Sequence, residues 1–143
     1  MTARAGPRRA LLAVAGGGLL FAAHPPVDMG WLGVVALVPL VGLARELARD
    51  SRHPLLAGAG WGLLAGLTFF GPLLWWIVRF GVVAWVLLGL VQSATIGAFV
   101  AGLAVWGGRR GRPLVAVVWW VALEAARSSW PLGGFPWGVL GYS

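Results

Sequence analysis

Glu124 and Arg127 are the two residues whose types and spacing could do chemistry at the end of an apolar segment. At a spacing of three residues they share one face of a helix and can form an ion pair. An ionisable side chain beside hydrocarbon usually faces protein or a water-filled cavity, because its transfer into lipid is costly. Two interpretations stay open: an ion pair that fixes the end of the helix, or direct contact with a bound substrate.

The segment that follows these charges, GGFPWGVLGYS, predicts a turn at a membrane interface. Its two leading glycines and its proline favour the turn, and its aromatic side chains are of the kind that anchors proteins at bilayer surfaces. Aromatic anchoring alone would explain their presence. The candidate substrate-binding and lipid-binding residues are Glu124, Arg127, Phe135, Trp137 and Tyr142. No residue is assigned a catalytic role.

The residue types that are missing exclude several chemistries. The chain has no cysteine, which rules out disulfides, thiolate metal sites and cysteine nucleophiles within it. It also has no lysine, which rules out Schiff-base chemistry. His24 and Asp28 flank one predicted turn, but a metal site needs more ligands and His53 belongs to the other side of the bundle. We interpret His24 and Asp28 as loop structure, and we predict no metal and no cofactor.

Long apolar segments must position these residues. The chain is 59% hydrophobic and only 10% charged, whereas soluble domains carry about a quarter charged residues. The apolar segments are Ala10–Ala23, Met29–Ala44, Pro54–Val78, Phe80–Trp106 and Pro113 to about Ala126. The predicted fold is all-α: a polytopic membrane helix bundle of about five transmembrane segments, truncated from a larger bundle.

The arginines predict the orientation of this bundle. If all the segments cross, nine arginines lie on one side: Arg4, Arg8, Arg9, Arg45, Arg49, Arg52, Arg109, Arg110 and Arg112. Only Arg79 and Arg127 lie on the other side. The positive-inside rule then places the N-terminus in the cytoplasm and the C-terminal GFPW segment outside. The net charge of +7 does not predict nucleic-acid binding, because the arginines separate apolar segments and do not form one basic face.

Small and polar residues within the segments predict helix packing. Gly58, Gly62 and Gly66 recur every four residues, and such a ridge lets another membrane helix approach closely. Polar side chains inside the fourth segment should bind their own backbone or a neighbouring helix; they are Gln92, Ser93 and Thr95. The pair Trp119–Trp120 could face either lipid or a neighbouring helix.

The chain resembles the N-terminal membrane part of bacterial apolipoprotein N-acyltransferases. The stretches FAAHPPVDMGWLGVVALVPL and GWGLLAGLTFFGPLLWW are loosely similar to the family's early helices. The Glu-x-x-Arg step at Glu124 and Arg127 and the final GFPWGVLGYS are more specific, because they resemble the family's GFPW…GYSQ stretch. The resemblance covers essentially the whole chain, so residues 1–143 are interpreted as one N-terminal transmembrane domain.

The resemblance implies a fold of eight transmembrane helices with an extracytoplasmic nitrilase-like domain, in the bacterial inner membrane. It implies transfer of a phospholipid acyl chain to the free amine of a lipoprotein's S-diacylglyceryl-cysteine. A cysteine thiolate would carry the acyl group, with a glutamate as base and a lysine at the oxyanion. The implied partners are the membrane phospholipid as acyl donor, the diacylglyceryl lipoprotein as acceptor, and the bilayer itself.

The chain departs from this pattern because it has neither cysteine nor lysine and stops before the nitrilase-like domain. No catalytic residue can therefore be carried over, and the chain alone is expected to be inactive. We expect a fragment, the alternative being a subunit that works beside a separate catalytic polypeptide. Two other functions stay open: a small transporter, and a membrane anchor or partner of a polyprenyl-phosphate glycosyltransferase.

Overall fold

The computed structural model describes residues 5–106, 112–130 and 133–140, and throughout these ranges the chain is helical with connecting loops. The helices are α1 (Ala5–Ala23), α2 (Leu32–Asp50), α3 (Pro54–Leu73), α4 (Val82–Val105) and α5 (Arg112–Ser129), with a short 3₁₀ helix at Trp75–Phe80. No strand occurs in the described part. The predicted all-α fold class is confirmed.

Helices α1 and α2 form an antiparallel hairpin whose open end carries ion pairs. Arg9 Nε lies 3.1 Å from Glu46 Oε1, and Arg8 Nη1 lies 3.2 Å from Glu46 Oε2. Arg9 also approaches Asp50, at 3.8 Å. At this end, both helices are longer than the apolar segments predicted from the sequence. The paired charges continue the helical turns beyond the apolar residues.

The glycine ridge of α3 packs closely against the antiparallel helix α4. A Cβ atom added at Gly58 would lie 2.6 Å from Ala101 Cα, and one added at Gly66 would lie 2.6 Å from Ser93 Cα. At Gly62 the added atom would lie 2.7 Å from the Ile96 carbonyl oxygen. The predicted close approach of a second helix to this ridge is confirmed, and the second helix is α4.

The third predicted segment, Pro54–Val78, ends earlier as a helix. Helix α3 stops at Leu73, one residue after Pro72, because a proline has no N–H to donate to the preceding turn. The chain continues as the 3₁₀ helix and then turns at Gly81, whose φ of +132° favours glycine. This break separates α3 from α4 and lets the two helices run antiparallel.

Helix α5 packs on α4 through the tryptophan pair whose environment the sequence left undecided. Trp120 is buried, with its ring 4.9 Å from that of Phe99 in an edge-on arrangement. Trp119 is partly buried, and its indole nitrogen donates a hydrogen bond of 3.2 Å to the Ala98 carbonyl. Both rings therefore face a neighbouring helix.

Two of the described helices, α3 and α4, are long and apolar enough to cross a membrane. Many large apolar side chains on other helices are also exposed, among them Val34, Val38, Leu114 and Val117.

Of the polar residues in α4, Thr95 binds its own backbone as predicted, since its hydroxyl donates to the Gln92 carbonyl at 2.6 Å.

Candidate functional site

The candidate site is the segment 133–140, here called the aromatic loop, together with the helix ends that hold it. Arg127 near the end of α5 is its central contact. The guanidinium donates to three loop carbonyls: Nη1 to Phe135 at 3.2 Å and to Trp137 at 2.6 Å, and Nη2 to Gly138 at 3.1 Å. Arg127 is only 6% exposed, so the loop carbonyls take the place of water around this charge.

Glu124 holds the other end of the same loop. Its Oε1 atom accepts a hydrogen bond of 2.8 Å from the Leu140 backbone N–H. The ion pairs within 4.0 Å in the described ranges all lie between α1 and α2, so Glu124 and Arg127 do not form the direct ion pair considered from the sequence. The physical reason is that each side chain meets backbone partners in the loop, where unpaired peptide groups would otherwise be buried.

Two further side chains join the site from distant parts of the chain. His24, at the end of α1, is buried with Nδ1 2.8 Å from the Leu20 oxygen and Nε2 3.3 Å from the Val139 oxygen. Gln92 of α4 is also buried, and its amide donates to the Phe135 carbonyl at 3.5 Å.

Neither loop contact is predicted from the sequence. The sequence predicts a turn position for His24, and for Gln92 a hydrogen bond to its own backbone or to a neighbouring helix. A histidine before two prolines gives no signal of a contact 115 residues away. For Gln92 a signal did exist, since a buried amide in an apolar helix requires a polar partner.

An aromatic layer lies beneath the loop. The rings of Phe69 and Phe70 in α3 are 4.3 Å apart, and the His24 ring lies 5.2 Å from Phe69. On the other side, the Arg127 guanidinium carbon lies 5.3 Å from the centre of the Phe70 ring, within the range of a cation–π interaction. The paired phenylalanines of α3 therefore connect the histidine to the arginine.

Two glycines let the loop approach the bundle. Gly134 has a φ of +86°, and a side chain there would collide with the Ser128 carbonyl oxygen. Gly138 has a φ of +74°, and its added Cβ would lie 2.8 Å from Leu73 Cδ2. Both positions favour glycine for backbone and for space, which explains the glycines on either side of the FPW sequence.

The aromatic candidates from the sequence take different positions. Phe135 is partly buried against the apolar core. Trp137 is 53% exposed, with its ring 5.8 Å from that of Trp76. Tyr142 lies outside the described residues. The structure thus brings Glu124, Arg127, Phe135 and Trp137 together in one site, with only Trp137 presenting a large aromatic surface to the exterior.

Within the described residues, the contacts of this site hold a loop in place. In residues 5–106, 112–130 and 133–140 there is no group of three His, Asp or Glu side chains that could hold a metal. Arg127 and Glu124 form their hydrogen bonds with peptide groups of the loop. The indole of Trp137 is exposed at the surface. Such a site can fix a backbone and offer an aromatic surface to a lipid or an apolar substrate.

Comparison with known proteins connects this chain to a family. The family model described as "Apolipoprotein N-acyltransferase N-terminal domain" matches residues 16–143. The apolipoprotein N-acyltransferase of Chromobacterium violaceum is 35% identical over 145 residues, which covers 92% of this chain and 26% of that protein. The enzyme of Gloeobacter violaceus is 35% identical, covering 93% of the chain and 27% of the relative.

The apolipoprotein N-acyltransferase of Brucella suis is 34% identical over 154 residues, covering 96% of this chain and 29% of the relative. The chain therefore spans less than a third of the length of the curated relatives it matches. No solved structure gives a significant match. The family relationship and the two long apolar helices together indicate membrane association. By the match over most of its length, this chain belongs to the apolipoprotein N-acyltransferase family.

Proposed function

We propose that residues 1–143 form the N-terminal membrane domain of an enzyme that acylates lipoproteins. The reaction would move an acyl chain from a membrane phospholipid to the N-terminal amine of an S-diacylglyceryl-cysteine. The observation that carries this proposal is the clamped aromatic loop, in which three hydrogen bonds from Arg127 fix the GFPW backbone and leave the Trp137 ring exposed.

The role of this domain would be placement of lipid substrates. Acyl transfer through a thioester requires a thiolate, and this sequence contains no cysteine. The covalent step would therefore occur on another part of the enzyme, while the aromatic loop guides apolar chains toward it. Family membership favours this function over the transporter and the glycosyltransferase anchor that the sequence left open.

A chimera tests this function directly. Residues 16–143 would replace the corresponding region of the Chromobacterium violaceum enzyme, with which the chain is 35% identical. We expect the chimera to acylate a diacylglyceryl peptide from labelled phospholipid, at a rate within about tenfold of the parent, since a barrier change of about 1.4 kcal/mol corresponds to tenfold. A chimera that is monodisperse and folded but inactive would contradict the proposal. The parent enzyme with the Gloeobacter violaceus region in the same place is the control.

The same chimera tests the role of Trp137 in substrate placement. We expect Trp137→Ala to lower kcat/KM for the lipid substrates about tenfold, because it removes the exposed aromatic surface of the loop. Its folded yield should be unchanged, since Trp137 contributes its backbone carbonyl, not its ring, to the Arg127 clamp. Trp130→Ala is the matched control: Trp130 is 74% exposed and lies before the loop. Equal kinetics for the two variants would reduce the aromatic loop to a membrane anchor.

We further propose that all five helices cross the inner membrane, with the arginine-rich ends cytoplasmic and the aromatic loop outside. Support comes from the nine-to-two distribution of arginines and from the position of Arg9 beside Glu46 at one end of the bundle. In this cysteine-free chain, His53→Cys should be shielded from an impermeant thiol reagent in intact cells. Val27→Cys, at the end of the bundle that carries the aromatic loop, should react with the reagent. The reverse pattern would show that the topology is the opposite of the one proposed.

A further inference from the structure

Helices α2 and α5 flank an open groove of about 960 Å³ that the clamped loop does not explain. Its walls are lined mostly by apolar side chains of both helices, and Val139 and Leu140 of the aromatic loop close one end. A cavity of about 290 Å³ adjoins the groove and reaches α4 at Leu103 and Trp106. The exposed wall residues include Val34, Val38, Val117 and Val121, all more than half exposed. A groove of this size and composition favours an apolar occupant.

The two ends of the groove differ in charge. Arg45 lines both the groove and the adjoining cavity, and it forms no hydrogen bond or ion pair within the described residues. Pro113 lines the groove at the same end as Arg45, and it is the second residue of α5. The positive N-terminal end of the α5 dipole therefore adds to the positive potential at this end of the groove. At the opposite end, the Glu124 carboxylate already accepts from Leu140. The Arg45 end therefore has a positive charge that is still available to an anion.

The dimensions of the groove match the lipid of one membrane leaflet. From Gly33 to Arg45 the wall of α2 is about 18 Å long at about 1.5 Å per residue. Half of a hydrocarbon core about 30 Å thick is about 15 Å. Acyl chains that start at Arg45 would thus end close to the far end of this wall, near Gly33.

We propose that this groove binds a membrane phospholipid whose phosphate pairs with Arg45 and whose acyl chains lie between α2 and α5. Val139 and Leu140 of the aromatic loop line one end of the groove, and Arg45 lies at the other end. The proposal does not depend on acyl transfer; it requires only that the chain lies in a bilayer. The principal rival occupant is an apolar polypeptide helix. Such a helix would leave the exposed Arg45 at the cytoplasmic interface without a counter-charge, whereas a phosphate supplies one.

Gly42 offers a way to fill the groove without disturbing the bundle. It lines the groove, and a Cβ added there would meet no atom within 4 Å. The matched control is Gly60 on α3, which also has no atom within 4 Å of an added Cβ and lies outside the groove. The variants Gly42→Phe and Gly60→Phe therefore introduce the same side chain inside and outside the proposed site.

The test uses the chain in phosphatidylcholine nanodiscs that contain a trace of phosphatidylglycerol with a photoreactive acyl chain. We expect cross-links on groove residues of α2 and α5, such as Val38 and Val117. Gly42→Phe should reduce these cross-links to the background level of exposed α3 peptides, and Gly60→Phe should leave them unchanged. Arg45→Gln should lower them about fivefold, since one basic residue near an anionic lipid contributes about 1 kcal/mol.

A photoreactive diacylglycerol with the same acyl chains separates headgroup binding from apolar contact. We expect diacylglycerol to label the groove of the unmodified chain no more strongly than phosphatidylglycerol labels the groove of Arg45→Gln. Equal labelling by both lipids, or uniform labelling around the bundle, would overturn the proposal. Groove residues that stay unlabelled in the unmodified chain would show that protein covers the groove and would also overturn it. Circular dichroism and monodisperse elution of all three variants confirm that the readout concerns folded protein.

Discussion

Arg127→Ala is expected to lower the free energy of unfolding by about 3 kcal/mol or more, which is the range for loss of hydrogen bonds to a buried charged group. The substitution removes the donors for the carbonyls of Phe135, Trp137 and Gly138. It also removes the cation from the face of Phe70. Reversible denaturation in mixed detergent micelles measures the change.

Two further substitutions separate the clamp from a general effect of charge. Arg79→Ala removes an exposed arginine of the 3₁₀ helix, and we expect a change of no more than about 0.5 kcal/mol. Arg127→Lys keeps the charge but cannot present the planar fork of donors that reaches three carbonyls, so most of the stability should still be lost. If Arg127→Lys were as stable as the unmodified chain, the charge and not the fork of donors would hold the loop.

Gly62→Leu is expected to cost about 3 kcal/mol or more, because overpacking forces the backbones of two helices apart. At this position a Cβ atom alone would lie 2.7 Å from the Ile96 oxygen and 2.8 Å from Gly97 Cα. Neither neighbour is the end of a flexible side chain, so α4 as a whole would have to move. The free energy of unfolding and the thermal midpoint in detergent would both fall.

Gly60→Leu is the control on the same helix, only two residues away. A Cβ added at Gly60 meets no atom within 4 Å, and leucine favours the helix by up to about 1 kcal/mol over glycine. We therefore expect Gly60→Leu to be neutral or stabilising. The opposite signs of these two changes would establish the α3–α4 contact; equal destabilisation by both would contradict the packing described above.

Features that depend on local periodicity could be predicted from the sequence. The four-residue spacing of Gly58, Gly62 and Gly66 identified the close helix contact, and the apolar segments identified the helices to within a few residues at most ends. The larger differences are at the start of α1 and the end of α2, where charged residues continue the helix, and at the end of α3. There Pro72 terminates the helix inside an apolar run that is continuous in the sequence. Composition and periodicity could not reveal that break, although the proline itself was a signal.

The contacts of the aromatic loop could be predicted only in part, because they depend on which helix ends meet. The Glu-x-x-Arg spacing singled out the two side chains that hold the loop, but a helical wheel shows only their proximity to each other. A helical wheel does not show that peptide groups of the loop form hydrogen bonds with both side chains. In the structure, Arg127 donates to the Trp137 carbonyl and Glu124 accepts from the Leu140 N–H. The contact of His24 with Val139 joins positions 115 residues apart, which no local pattern reports.

That long-range contact has a consequence for the order of assembly. The α3–α4 pair is joined by a short connection and can form early, whereas the histidine contact closes a loop of nearly the whole chain and carries a large entropic cost. The loop can lock only after α1, α4 and α5 have all reached their places, so its closure marks a completed bundle. Loss of the arginine should accordingly accelerate unfolding and leave the folding rate almost unchanged, as expected of an interaction that forms after the rate-limiting step.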